Sequence, residues 1–216
     1  MPAPTNPALD LIQEEFPPSH QRFVGPALMR AYSSASTALE MLEWLDNPSG
    51  RLQRGDLILK AAEFEFNKLI RTGQLPGLDP AWEDYAMPTG KHLVMRTKRA
   101  LITINQVPAI NRPPRSARFR SNFGVPNGEY LFPEWNAEAK QESERKHLLL
   151  LHGYHDLSFA ALAMPHPSRR SLIARTDNLL DFGADDFGHH PPPEGPTDSP
   201  DLEAIEHVVR IVHDNK

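Results

Sequence analysis

The sequence predicts an α+β protein in which an N-terminal helical hairpin packs on a mainly antiparallel sheet and a disordered acidic C-terminal tail ends in a short helix. Three observations predict this order. Apolar residues recur every three or four positions early in the chain, short β-prone runs follow, and the last part is rich in proline and acidic residues. A chain of 216 residues with 39% apolar content can bury one sizeable core, so we expect one folded domain.

The chain divides where its composition changes. Prolines gather near the amino end and again from residue 191 to residue 200, and both regions are expected to lie outside the folded core. The predicted parts are a flexible N-terminal segment (1–18), a single α+β domain (19–180) with the helical hairpin at 26–73 and the sheet at 91–164, a disordered acidic Pro-rich linker (181–200) and a short amphipathic helix (201–216).

Two amphipathic patterns predict the helical hairpin. The first runs from Pro26, a residue well suited to the first turn of a helix, to Leu45. An Asn-Pro-Ser-Gly sequence interrupts the pattern, and the helix that follows ends at Gly73. Because the connection is short, the two helices are expected to lie antiparallel with their apolar faces in contact. The acidic residues Glu63 and Glu65 of the second helix are expected to face solvent.

Short β-prone runs predict the strands. Residues 92–95 and 100–107 are candidates for a hairpin, and side chains of the second run alternate between two faces. A third strand is predicted at 129–132, behind a Pro-Asn-Gly turn signal. The runs 146–151 and 157–164 are apolar at consecutive positions, which is typical of strands covered on both faces. We therefore expect these two runs at the centre of the sheet.

The composition excludes several kinds of site. Without cysteine the chain has no disulfide bonds and no thiolate metal ligands. Its amino end lacks the basic start and apolar run of a signal peptide, and its longest apolar stretch, 159–164, is far too short to span a bilayer. We therefore expect a cytoplasmic location and no membrane contact. No Gly-x-Ser-x-Gly, P-loop or dinucleotide-binding motif is present, and no cofactor is predicted.

The charges are divided unevenly along the chain, beneath a net charge of -5. Residues 91–120 contain eight Lys or Arg and no Asp or Glu, whereas residues 176–206 contain nine Asp or Glu and no Lys or Arg. One segment is therefore strongly basic and another strongly acidic. The acidic segment can pair with the basic one or bind a partner protein.

The basic segment predicts a surface for nucleic acid, either RNA or DNA, or for another polyanion. Arginine forks match phosphate oxygens, and an exposed aromatic ring can stack on a base. The alternative is that these cations are only solvated, or are paired with the acidic tract. Our first hypothesis is a cytoplasmic binding or regulatory protein whose acidic tail is an inhibitory or partner-binding element. The predicted contact residues are Lys98, Arg99, Arg112, Arg115, Arg118, Phe119 and Arg120.

The sequence His152-Gly-Tyr-His155-Asp156 lies between the two apolar runs. Imidazoles exchange protons near neutral pH, so His152 and His155 form a candidate catalytic set with Asp156 as the orienting carboxylate. With the arginines, this set predicts an alternative function, a metal-independent nuclease or phosphodiesterase of the toxin-like RNase type. The same residues are also typical of a tight turn, in which Gly153 takes a backbone angle that other residues avoid. Both interpretations stay open, because the sequence does not place the arginines beside the histidines.

Two further alternatives concern metals and partner proteins. A metal would need imidazole and carboxylate ligands, such as His152 and His155 with His147 or His166. A His-x-x-His spacing in a loop is unspecific, and no metal site is predicted. The third functional hypothesis is a protein-interaction module, such as one member of a toxin–antitoxin pair, which covers another protein with residues 181–216.

Overall fold

The computed structural model describes residues 6–84, 90–115, 127, 145–168 and 170–181. It confirms the predicted fold class, because N-terminal helices pack on a six-stranded mixed sheet and the protein is therefore α+β. The predicted strand at 129–132, the acidic linker and the final helix lie outside the described residues.

Five α-helices and one 3₁₀ helix precede the sheet in the described part of the chain. Their bounds are α1 Pro7–Glu15, α2 Pro18–Gln21, α3 Val24–Met41, the 3₁₀ helix Glu43–Leu45, α4 Pro48–Arg51 and α5 Arg54–Arg71. The predicted hairpin corresponds to α3 and α5. Within the ranges given above, no helix is both long and apolar enough to cross a bilayer.

Helices α3 and α5 pack against each other, as the two amphipathic patterns predict. Small side chains let the two backbones approach closely, and larger ones fill the space toward the sheet. The residues of these helices that enter the main core include Val24, Ala27, Leu28 and Ala31 of α3, and Ala61, Ala62, Phe66 and Leu69 of α5.

The acidic residues Glu63 and Glu65 of α5 are buried, which corrects the expectation that they face solvent. Their exposed fractions are 2% and 3%. Glu65 pairs with Arg30 of α3 at 2.6 Å, and Glu63 accepts a hydrogen bond from the Leu93 amide of the sheet at 3.0 Å. Burial raises the pKa of Glu63, and the nearby Lys60 ammonium opposes that shift. Each carboxylate joins α5 to a neighbouring element, Glu65 to α3 and Glu63 to the sheet. The helical pattern alone does not reveal these contacts, and it predicts that both side chains face solvent.

Helix α1 belongs to the folded core, although the sequence predicts a flexible segment at 1–18. Ile12 and Phe16 are fully buried in the main core, where α1 packs on the last two strands of the sheet. Asn6 caps the helix by accepting hydrogen bonds from two amides of its first turn. Pro7 occupies the first helical position, where a missing N–H is harmless, so this proline starts a helix instead of preventing one.

Six strands form one sheet whose strand order follows the sequence. Their bounds are β1 Asp79–Asp84, β2 Lys91–Arg96, β3 Ala100–Gln106, β4 Lys146–His152, β5 Ala160–Pro165 and β6 Leu172–Arg175. Four of the five neighbouring pairs are antiparallel, and β3 with β4 is parallel. The mainly antiparallel sheet is confirmed, but its central pair is β3 and β4, whereas the sequence predicts β4 and β5 there.

The two edge strands, β1 and β6, lie outside the strands that the sequence predicts. Strand β1 contains Pro80 and three acidic residues, and β6 has only 4 residues. An edge strand pairs on one side alone, so proline and charged residues are tolerated there. Pairing with a neighbouring strand therefore determines that these segments are extended. Their own residues do not show the alternating apolar pattern that predicts a strand.

The two faces of the sheet have separate cores. Ile102 and Leu148 belong to the main core that the helices share. The other face buries polar residues as well, and the Thr103 hydroxyl lies 2.9 Å from Nε2 of His147. Its apolar cluster consists of Val107, Leu149, Leu151 and Ala163.

Asn127 ties the start of β4 to the end of β5. Its Nδ2 donates to the His147 carbonyl oxygen at 2.9 Å and to the Pro165 carbonyl oxygen at 3.0 Å. Its Oδ1 accepts from the His147 amide at 2.8 Å, and the whole side chain is buried. One side chain therefore satisfies three main-chain groups that are shielded from water.

Replacement of Asn127 by alanine should lower the free energy of unfolding by about 3 kcal/mol, because three buried main-chain groups lose their partners. Urea-induced unfolding measures this change. Asn111→Ala, at an exposed asparagine, is the matched control and should change stability by less than about 0.5 kcal/mol. Equal stability of the two variants would contradict the structural role given to Asn127.

Candidate functional site

The loops that follow β3 and β4 leave the sheet side by side. The two strands are parallel, and Gln106 lies opposite His152 at their ends. The Val107 amide donates to the His152 carbonyl oxygen at 2.9 Å, which extends the pairing by one residue. The carboxyl ends of parallel strands are a usual place for binding sites. We call residues 107–115 and 153–159, with the side chains that adjoin them, the carboxyl-end site.

His152 is fully buried and fastens the second loop to helix α3. Its Nδ1 lies 2.9 Å from the Tyr32 hydroxyl, and that hydroxyl donates to the Gly153 carbonyl oxygen at 2.5 Å. A tyrosine hydroxyl has a single proton, so it accepts its second hydrogen bond from a protonated Nδ1. The proton of the neutral imidazole therefore sits on Nδ1. Nε2 of this ring has no hydrogen-bond partner among the described residues.

Burial moves the pKa values of both groups in this contact away from neutrality. It lowers the pKa of His152 to about 4. Burial, assisted by the negative charge of Asp156, raises the pKa of Tyr32, and Arg54 opposes that shift. Both rings are uncharged at neutral pH and anchor the loop, while a role for His152 in proton transfer stays a prediction.

A tight turn follows β4. The Ser158 amide donates to the Asp156 carbonyl oxygen at 3.0 Å, and a side-chain carbon at Gly153 would overlap that same oxygen. Glycine is therefore needed for a close approach of the backbone, and the expectation of an unusual backbone angle is wrong. The described glycines with a positive φ angle are Gly73, Gly77 and Gly90.

His155 and Asp156 face solvent, in contrast to His152. The Tyr154 ring, 42% exposed, packs edge-on against the His155 ring with the centroids 5.2 Å apart. The predicted catalytic set is thus divided between one buried imidazole and an exposed imidazole with its neighbouring carboxylate. Across the described ranges, no three His, Cys, Asp or Glu side chains meet in a way that holds a metal ion.

The loop after β3 brings two of the predicted arginines to the carboxyl-end site. Arg112 and Arg115 are both exposed, and the Arg112 amide closes a turn by donating to the Ala109 carbonyl oxygen at 3.0 Å. These arginines therefore belong to the loop that leaves the same end of the sheet as the loop with His155 and Asp156. The other predicted contact residues of this segment, Arg118, Phe119 and Arg120, lie outside the described residues.

Lys98 and Arg99 do not join this group. They lie in the turn that leads into β3, so a strand of 7 residues, roughly 20 Å long, separates them from the carboxyl-end site. Arg99 Nη1 is 2.5 Å from a Glu14 carboxylate oxygen, and the Arg99 amide donates to Glu15 at 3.1 Å. The single basic surface that the sequence predicts is therefore divided between the two ends of the sheet.

Two residues of the carboxyl-end site have no signal in the sequence, namely Tyr32 and Gln106. Tyr32 lies within an apolar helical pattern, which predicts core packing and nothing more. Gln106 faces His152 across the parallel ladder, and its Oε1 lies close to the backbone of Gly55 at the start of α5. These groups meet because α3, α5 and two strands converge, and spacing along the chain does not reveal such a convergence.

The lowered pKa of His152 makes stability depend on pH. The unfolded chain binds a proton at His152 near pH 6.5, whereas the folded chain resists protonation down to about pH 4. The stabilising contribution is therefore complete above pH 6.5 and is lost as the pH falls toward 4. We expect the stability difference between the wild type and His152→Asn to shrink by on the order of 3 kcal/mol over this window, as measured by urea titration.

His155→Asn is the matched control, because it removes an exposed imidazole from the same loop. This variant tests whether the pH dependence of the stability difference comes from the buried ring or from the loss of any imidazole. A stability difference for His152→Asn that does not vary with pH would contradict the burial of a neutral ring at this position.

Comparisons with known proteins assign no family to this chain. No protein-family model matches the chain, and neither a curated protein nor a solved structure matches it.

Proposed function

We propose that this protein binds the phosphate groups of a nucleic acid, or of another polyanion, at the carboxyl-end site. The observation that carries the proposal is that the loop with exposed Arg112 and Arg115 and the loop with exposed Tyr154 and His155 leave the sheet at the same end. Arginine supplies forked donors for phosphate oxygens, and an exposed aromatic ring supplies a stacking surface for a base. The chain is then a binding or regulatory protein.

The ion pairs of the basic segment support this location. Among the described residues, Arg112 takes part in no ion pair. Exposed ion pairs stabilise a fold little, but each one reduces the positive potential that a polyanion meets. Three cations before β3 are paired with carboxylates: Lys91 with Asp84, Arg96 with Glu83, and Arg99 with Glu14.

The acidic segment at 176–206 is a competitor for the same site in this proposal. Its nine carboxylates belong to the same chain, so their effective concentration near the arginines is high. A nucleic acid would have to displace them, and the acidic tail would then act as an inhibitory element. Most of this segment lies outside the described residues.

Fluorescence anisotropy with a labelled single-stranded RNA tests the proposal. The double variant Arg112→Ala and Arg115→Ala should bind about tenfold more weakly at moderate salt. The slope of log K against log salt should also fall by roughly 1.4, because each phosphate contact on a single strand contributes about 0.7.

The matched control removes two cations from the opposite end of the sheet, as Lys98→Ala with Arg170→Ala. Both side chains are exposed, and the net charge changes by the same amount. Equal loss of affinity in the two double variants would place binding elsewhere. Absence of RNA and DNA binding by the wild type would end the proposal.

Hydrolysis of the bound nucleic acid is the second candidate function, and the exposure of His155 favours it. A proton-transfer group must contact the substrate, and His155 is the solvent-facing imidazole of the predicted set, with Asp156 beside it. RNA cleavage should then be lost in His155→Ala while binding is retained. If the variant cleaves as fast as the wild type, His155 has no part in the chemistry.

A further inference from the structure

The end of the helical hairpin exposes three large apolar side chains. Met41, Trp44 and Leu52 have exposed fractions of 62%, 55% and 83%. They lie within one short segment, yet they are three of the six large apolar side chains exposed in the described part of the chain. We call these three residues the hairpin patch. Concentration of apolar surface in one place is a mark of an interaction site.

The hairpin patch sits on a rigid support. The Asn47 side chain accepts a hydrogen bond from the Gly50 amide at 2.8 Å and donates to the Trp44 carbonyl oxygen at 2.6 Å. Gly50 packs so closely on the backbone of Leu45 that any larger residue would clash there. The backbone between Trp44 and Gly50 is therefore held in place before the patch meets a ligand, which lowers the entropy lost on binding.

An open cleft of about 540 Å³ adjoins the hairpin patch. Apolar side chains of Leu39 and Leu45 line it together with Glu40, Glu43 and Arg54. A flat apolar surface binds few side chains specifically, whereas a cleft beside it can receive one from a partner. The patch and the cleft together have the character of an interface core with a polar rim.

The rim of the cleft is acidic. Glu40 and Glu43 are exposed, and neither forms an ion pair with another described residue. Asp46 is neutralised by Arg51 at 2.8 Å. The cleft also contains Arg54, so Glu40 and Glu43 leave one net negative charge at its rim. A negative rim disfavours nucleic acids and anionic lipid surfaces and favours lysine and arginine side chains.

We propose that the hairpin patch docks a partner protein through an amphipathic segment that presents lysine or arginine beside apolar side chains. Trp44, Met41 and Leu52 would pack on the apolar side of that segment, and Glu40 and Glu43 would pair with its cations. Tryptophan is among the residues most enriched at the energetic centre of interfaces. This site does not use Arg112 or Arg115, so it stands or falls separately from the proposed nucleic-acid contact.

Isothermal titration calorimetry with synthetic peptides tests the proposal on the full chain. The probe is an amphipathic leucine and lysine helix of about four turns, and its counterpart carries glutamate in place of lysine. The lysine peptide should bind, and the glutamate peptide should not. Leu52→Ser should weaken binding about tenfold, and Glu40→Gln with Glu43→Gln should weaken it roughly threefold to tenfold.

Helix α3 offers a matched control for the apolar contact. Met29 and Met41 lie in the same helix with similar exposed fractions, 57% and 62%, but Met29 is outside the patch. Met41→Ser should weaken peptide binding, and Met29→Ser should not. Because all these side chains are exposed, the variants should keep the thermal stability of the wild type, which is measured in parallel.

Three results would overturn the proposal. One is absence of binding by the lysine peptide, and another is binding of both peptides with equal affinity. The third is self-association of the chain in sedimentation equilibrium that Leu52→Ser abolishes, because the occupant of the patch would then be a second copy.

Discussion

The parallel pairing of β3 with β4 is the constraint on which the rest of the structure depends. All other neighbours in the sheet are antiparallel, and this one pair puts the ends of two strands and the starts of two loops side by side. The loop that contains Arg112 and the loop that contains His155 leave the sheet at one end, and Lys98 lies at the opposite end. The chemistry available at each end therefore follows from strand direction, and spacing along the chain does not determine it.

Buried polar side chains determine the position of helices α3 and α5 on this sheet, and they also join neighbouring strands. Tyr32 of α3 binds the carbonyl oxygen after β4, Glu63 of α5 binds an amide of β2, and Asn127 binds main-chain groups of β4 and β5. Apolar packing tolerates a change of partner as long as volume is conserved. A shift of these helices would leave a buried donor or acceptor unpaired at a cost of about 1–3 kcal/mol. The polar contacts thus select one arrangement among several that bury similar apolar area.

Sequence patterns predict the elements that bury a continuous apolar face. They fail for elements whose conformation depends on pairing or packing with another part of the chain. The periodicity of α3 and α5 and the apolar run of β4 are local properties, and each of these elements is confirmed. Strands β1 and β6 exist because a single neighbour pairs with them, and α1 packs despite its prolines. At the site, Tyr32 and His152 are 120 positions apart in the sequence, so their hydrogen bond has no local signal. The turn residues are visible in the sequence, but which of the two imidazoles is buried is not.

Charge along the sequence and charge on the surface are different quantities in this protein. Residues 91–120 contain no carboxylate, yet acids from α1 and β1 neutralise their first cations. Glu14 and Arg99 are 85 positions apart, so a survey of neighbouring residues overlooks their pairing. The positive potential of these cations is thereby reduced, while Glu40 and Glu43 add negative charge at the end of the hairpin. Since salt screens exposed charges beyond about 10 Å, one small domain can present surfaces of opposite sign that select different ligands.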